Sequence, residues 1–355
     1  MWNRKSKFKR FTIVFSCIII LLRFISNYFP LQVTKYYSKI LYPIIHSIQF
    51  SLLKGSNFPF SYLFTFVLLF YFVANIILII RKPIRWNKRF AILIQFIFYF
   101  FIILFASFQL LWGFNYCRQD IAKEMKLPKI GLDSSKLMTE LLIVENKLSK
   151  IRLSMDTNLL AVHCSNLDII NIQSELYNSF ITNNIGNYQN SNFRVIKPKG
   201  VLLHWSTSGI YFPFTGECNS DSGLHPILEP FTIAHEFCHG SGWGDEATCN
   251  FLAWIALKDS PNLYFQYSVW FGYWKELLYY LKKNYYNSYI YHSKLIPLEL
   301  LNDSQSVKYE MNKYGDYFPK IQAKVYDQFL KSQGVGEGIK SYNKMIDLVI
   351  AFKKK

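Results

Sequence analysis

Three apolar stretches, residues 11–29, 61–80 and 90–111, set the first limit on how this chain can fold. Each is about twenty residues long, enough for a helix to cross the hydrocarbon of a bilayer with its backbone groups paired internally. Arg23 interrupts the first near its outer end, where a long side chain can snorkel to the headgroups. A cleavable leader is the other reading of that stretch. No clear small-residue cleavage site follows it and two further spans do, so a retained anchor is expected.

Lys and Arg placement orients the spans. Arg4, Lys5, Lys7, Lys9 and Arg10 precede the first, and Arg81, Lys82, Arg85, Lys88 and Arg89 fill the loop after the second. The loop between them carries only Lys35, Lys39 and Lys54. Positive charge is retained on the cytoplasmic side, so the N-terminus is expected there and everything after residue 112 outside. Arg118, Lys123, Lys126 and Lys129 pull the other way. The expected division is a membrane anchor over 1–112 and an extracytoplasmic domain over 113–355.

Composition agrees with a membrane protein: 51% hydrophobic and 18% aromatic is heavy for a soluble chain. The net charge of +17 could suggest nucleic acid. However, the basic residues either flank spans or are scattered, and no phosphate loop, dinucleotide fingerprint or nucleic-acid module is present. Solvated surface or anionic lipid contact accounts for them, and no nucleic-acid partner is expected.

The chemistry is concentrated at His235-Glu-Phe-Cys-His239. Histidines four apart lie one above the other on a helix face, so both rings can converge on one metal ion. Glu236 then projects toward water on that metal. Three protein ligands and one open position make a catalytic zinc site, whereas a structural site fills all four. The surroundings suit a short buried helix. Pro230 fits a first turn, Phe231, Ile233, Ala234, Phe237 and Cys238 form an apolar body, and Gly240 and Gly242 stop it.

Two residues compete as third ligand. In one reading, HExxHxxGxxD brings Asp245 to the metal. In the other, Glu246 opens a second helix over 246–257, with Glu246 as ligand and Asn250 on the same face holding an imidazole by its second nitrogen. The second reading is preferred because it also explains Asn250, and it leaves Asp245 as the helix N-cap. Cys238 and Cys249 read as small core residues rather than ligands. The other soluble-part cysteines, Cys164 and Cys218, give no pairing from spacing alone.

The segment Thr232 to Trp254, TIAHEFCHGSGWGDEATCNFLAW, resembles the core of an uncharacterised family of bacterial membrane proteins, catalogued as a domain of unknown function, with three N-terminal spans and an HExxH domain. Trp112-Gly-Phe-Asn-Tyr116, Tyr211-Phe-Pro-Phe-Thr215, Phe329-Leu-Lys331 and Gly338-Ile-Lys-Ser-Tyr342 fit the same pattern. The resemblance covers most of the chain and places the family's acidic residue on Glu246 and its Asn on Asn250. Ala247, Thr248 and Cys249 depart from a stretch that is often acidic. The resemblance implies a membrane-anchored α+β protein of the bacterial inner membrane. Its three transmembrane helices would precede a mainly helical, zincin-like metallopeptidase domain with a small β-sheet, which the charge bias above places outside the cytoplasm, in the periplasm of a Gram-negative host.

Around the motif, residues 133–151 and 167–180 read as helices, capped by Asp133 or Ser134 and by Ser165 or Asn166. Residues 193–196 and 201–205 read as strands turned by Pro198-Lys-Gly200, and 208–214 as a further strand. By analogy with zincin folds, that strand is the candidate edge for pairing with an extended substrate. Residues 215–223 read as a loop. Residues 263–282 form an aromatic amphipathic helix, and 304–331 and 339–352 closing helices. His46, His163, His204, His225 and His292 read as surface or core histidines; His204, Tyr211 and Tyr342 are candidate transition-state donors.

The expected function is therefore a zinc-dependent peptidase that binds Zn2+ through His235, His239 and Glu246, with Glu236 as general base and a peptide or protein as substrate. The rival readings are a zinc hydrolase acting on a non-peptide envelope amide or ester, and a catalytically silent membrane scaffold. An intramembrane protease would need the motif within a span. Here Ser241, Asp245 and Glu246 follow it too closely for that.

Overall fold

The computed structural model describes residues 2–332 and 344–355. It is mainly helical with one small sheet. Helix α1 (Trp2–Ser26) turns at Asn27–Phe29 into α2 (Pro30–Leu53), a helical run with a wide π-type turn over Val33–Leu41. Helices α3 (Phe60–Ile80) and α4 (Trp86–Leu111) are long and apolar enough to cross a membrane. A third candidate exists only if α1 from Arg10 and α2, bent by 116° to each other, count as one span. The expected span over 11–29 thus ends early, at Ser26, where the chain turns.

α1 packs along α4, and the ends of the apolar helices are tied to the rest of the molecule on one side. Cys117 Sγ, just past α4, approaches Asn27 Oδ1 at 3.1 Å. The amides of Phe60 and Ser61, at the start of α3, donate to the Glu217 carboxylate at 3.2 and 2.9 Å. A carboxylate suits a helix N-terminus because it accepts orphan N–H groups and meets the positive end of the dipole. The basic loop 81–85 lies at the opposite ends of α3 and α4.

Beyond the span region, α5 (Ser134–Ser154) and α6 (Asn166–Thr182) form where their apolar spacing places them. Asp133 caps the first through the Lys136 amide, and Ser165 with Asp168 forms a reciprocal capping box on the second. The sheet has strands β1 (Asn192–Ile196), β2 (Gly209–Phe212) and β3 (Glu217–Asp221) in the order β1-β3-β2, with β1 parallel and β2 antiparallel to β3. Helices α7 (Glu229–Gly240) and α8 (Glu246–Leu257) pack together. The aromatic helix α9 (Leu263–Asn284) buries most of its first half against α5 and α7.

Two expectations fail here. Residues 201–205 form no strand; Leu203–Trp205 is a short 3-10 turn held by Asp221, whose carboxylate accepts the amides of Gly200, Leu202, Leu203 and Gly223. The expected loop at 215–223 contains β3, the central strand, buried at every position. Its polar side chains act as caps and turn organisers, so its composition resembles that of a loop. The closing region is α10 (Leu298–Met311), α11 (Pro319–Ser332) and α12 (Lys344–Lys353), broken at 312–318. Tyr342 and the match at 338–342 lie outside the described residues.

Candidate metal centre

The motif lies on α7, begun by Pro230 and ended by a turn through Gly242, whose φ is +80°. A left-handed residue there costs glycine little, and a Cβ would also press on the Tyr42 ring at 3.1 Å. The turn delivers the chain into α8, whose N-cap is Asp245. Its carboxylate accepts the Thr248 amide at 2.8 Å and the Thr248 hydroxyl at 2.7 Å. Glu246, the first helical residue, therefore leans back over the α7 face, with Asn250 one turn further on.

These two helices bring together His235, His239 and Glu246, and among the described residues no other His, Cys, Asp and Glu side chains form such a group. The two Nε2 atoms are 3.0 Å apart, and Glu246 Oε2 is 3.1 Å from that of His235 and 3.5 Å from that of His239. Both Nδ1 atoms are committed elsewhere. That of His235 meets Asn250 Oδ1 at 2.6 Å, and that of His239 meets the Trp243 carbonyl at 2.7 Å. Both acceptors are carbonyl oxygens, so each Nδ1 donates and both Nε2 atoms face one point beside a carboxylate.

That donor set suits a small divalent ion. The three separations are those of ligands around one centre with bonds of about 2 Å, and the outer hydrogen bonds fix the imidazole tautomers as metal ligands require. The electrostatics agree. Burial opposes charge on His239, but Glu246, Glu236 and the Trp243 carbonyl lift it to about 9. Burial likewise opposes charge on Glu246, yet the two histidines hold it well below the usual carboxylate range. The pocket thus favours positive charge where the three donor atoms meet.

Glu236 is buried beside this point. Burial raises its pKa, partly countered by His235 and His239 and by the Tyr211 amide. Its Oε2 has no hydrogen-bond partner among the described residues, so one face of this carboxylate is uncommitted. The opposing surface is β2. Asp221 N donates to Ser208 O, so alternation along the antiparallel pair turns the main chains of Ile210 and Phe212 toward β3. Gly209 and Tyr211 then present theirs outward, at the sheet's edge. A Cβ on Gly209 would lie 2.8 Å from Glu236 Oε1; only glycine lets the strand approach this closely.

Of the remaining candidates, Tyr211 turns its hydroxyl away from the ligands, to Tyr42 at 3.1 Å and His46 at 3.3 Å. His204 bonds the Gly315 carbonyl and stacks on Tyr317. His163 pairs with Glu229, His225 with Ser306 and His292 with Glu145. Cys238 and Cys249 are buried free thiols, Cys249 Sγ lying 3.4 Å from His239 Nδ1.

Sequence reasoning missed the support from α2 and from the end of α4 and the turn after it. Tyr42 donates to the Gly240 carbonyl at 2.6 Å and Trp112 Nε1 to the His239 carbonyl at 3.0 Å, both at the end of α7. Tyr116 is near enough to Glu246 for its charge, after burial, to raise the phenol's pKa. One available signal was the row Thr34, Ser38, Tyr42, His46. These polar or hydroxylic residues fall every fourth position in an apolar helix, and all four are buried.

The third ligand can be tested directly. Glu246→Gln is expected to reduce metal stoichiometry well below one, whereas Asp245→Ala should keep the metal and lose about 1 kcal/mol of stability with the cap. Metal analysis and thermal unfolding of both variants check this; metal loss in Asp245→Ala alone would reverse the assignment.

No curated protein and no solved structure matches the chain. A family profile with the description Protein of unknown function (DUF3810) matches residues 37–350, which include most of α2, the later apolar helices and the whole His235–His239–Glu246 cluster. The chain belongs to that family.

Proposed function

We propose that the protein is a membrane-anchored, zincin-like metallopeptidase. The observation that carries this reading is the convergence of His235, His239 and Glu246 beside a buried, partly uncommitted Glu236. His235, His239 and Glu246 would hold the ion. When bound, zinc lowers the pKa of water toward neutrality and polarises a carbonyl. Glu236 takes the proton of the attacking water and passes it to the leaving amine. Asn250 and the Trp243 carbonyl keep both imidazoles in ligating orientation. The outer edge of β2, at Gly209 beside Glu236, pairs with an extended substrate backbone and aligns its carbonyl.

The anchor consists of α3 and α4, with α1 as a third membrane helix. The basic N-terminus and the basic loop after α3 orient the molecule with its metal centre outside the cytoplasm, on the periplasmic side of a bacterial inner membrane. The division at 112/113 is one of role, since hydrogen bonds cross it.

The test is elemental analysis of the purified full chain in lipid nanodiscs, followed by mass spectrometry of a peptide library incubated with it. One zinc per chain, lost in His239→Ala, together with peptide cleavage is the expected result. Metal without cleavage of peptides would favour a scaffold or a hydrolase of non-peptide amides or esters. A folded wild-type chain without metal would overturn the proposal.

A further inference from the structure

Helix α2 has two faces of opposite character. Thr34, Ser38, Tyr42 and His46 point into the molecule, where they bond Gln119 N, Asn115 Oδ1, the Gly240 carbonyl and Ser191 Oγ. Arg194 and Asn192 of β1 tie down its far end through the carbonyls of Leu53 and Phe50. On the other face, Tyr36, Ile40, Ile44, Ile48 and Leu52 recur every four residues and are 54 to 76% exposed. A soluble surface rarely carries so continuous an apolar stripe.

The stripe adjoins the apolar helices. A groove of about 410 Å³ runs between α1 and α2, lined by Leu22, Ile25, Phe29, Tyr36, Leu41 and Leu110. The exposed apolar side chains of α1 therefore adjoin those of α2 across a groove whose lining is mainly apolar, with Ser26 and Gln32 at the turn. The 116° bend sets α2 closer to perpendicular than parallel to α1. If α1 follows the bilayer normal, α2 lies across the membrane surface. Lys35 flanks the stripe and Lys54 follows it, placed to reach headgroups, whereas Lys39 pairs with Glu124 at 3.5 Å.

From this geometry we infer that α2 is an in-plane interfacial helix, its Tyr36–Ile40–Ile44–Ile48–Leu52 stripe embedded among the acyl chains of the leaflet nearest the metal centre. The occupant of the stripe is lipid, because the stripe continues the surface of the membrane helices. Its inner face holds the end of α7, so the metal centre is seated directly on the bilayer surface. Substrates would then be met close to the membrane.

The test is site-directed spin labelling of the full chain in nanodiscs, in a Cys17→Ser, Cys164→Ala background that leaves four buried thiols. Labels at Tyr36→Cys, Ile44→Cys and Leu52→Cys should be accessible to oxygen and shielded from a water-soluble nickel chelate. The labels should lie about 5–10 Å below the phosphates and differ from residue 36 to residue 52 by no more than about 12 Å, since a 116° bend gives about 10 Å of descent along this length of helix. A steady descent of about 24 Å from residue 36 to residue 52 would make α2 a span and overturn the inference. Access to the nickel chelate, or spin coupling between copies, would overturn it in favour of water or a second chain. If a labelled chain does not unfold cooperatively, the label moves to Ser47 or Ser51 on the same exposed side. Depth does not depend on bound metal, so this result stands apart from the peptidase proposal.

Discussion

Glu236→Gln is expected to retain one zinc per chain and lose at least about 10²–10⁴-fold in peptide turnover, the usual contribution of a positioned general base. Glutamine preserves the shape that lets Glu236 fit against Gly209, where the space for a Cβ is only 2.8–2.9 Å from the Glu236 side chain. It removes the basic oxygen and leaves His235, His239 and Glu246 intact, so binding and turnover should separate. Thermal unfolding provides the control. An amide placed at the unpartnered Oε2 position can cost about 1–3 kcal/mol, too little by itself to empty the site. Undiminished turnover in Glu236→Ala would exclude the residue as base. Lost metal in Glu236→Gln would mean that Glu236 holds the centre together.

The second large effect concerns the N-terminal part. A chain starting at residue 113 is expected not to fold to a metal-binding state. It lacks Tyr42 and Trp112, so the Gly240 and His239 carbonyls lose buried donors. Tyr211 loses both hydroxyl partners. Glu217, fully buried, loses the two α3 amides and keeps Thr215 and Arg194. Each buried group left unpaired costs about 1–3 kcal/mol, more for a charge. Together these losses rival the 5–15 kcal/mol that typically stabilises a whole domain. Gel filtration, circular dichroism and metal content of the fragment check this. A monodisperse fragment with one zinc would show that residues 1–112 are only an anchor. Tyr42→Phe in the full chain is the milder version, with an expected loss of about 1–3 kcal/mol.

Legibility differed from element to element for physical reasons. α5 and α6 were readable because cap and periodicity are local: Asp133 and Ser165 satisfy amides three residues ahead. The motif helix was readable because spacing four is itself a geometric statement. β3 was not, since Glu-Cys-Asn-Ser-Asp has neither alternation nor β-branched residues. Its place at the centre of the sheet comes from what Glu217 and Asp221 bond: the start of α3 about 156 residues earlier and the turn before β2. α2 was passed over as a loop between spans because its two stripes alternate polar and apolar character at similar spacing. Only a partner on one side shows which stripe is inside.

The sequence by itself determined the apolar helices, the HExxH histidine pair and the preference for Glu246 with Asn250 beside it, because these rest on composition and on neighbours one turn apart. Tertiary structure alone decided that Nε2, Nε2 and Oε2 converge within 3.5 Å, that β2 lies with its open edge at Glu236, and that α2 supports the end of the metal helix. These last relations join residues up to 198 positions apart. Pairing at such separations depends on which buried polar groups can satisfy one another after the chain has packed, and no local pattern encodes that.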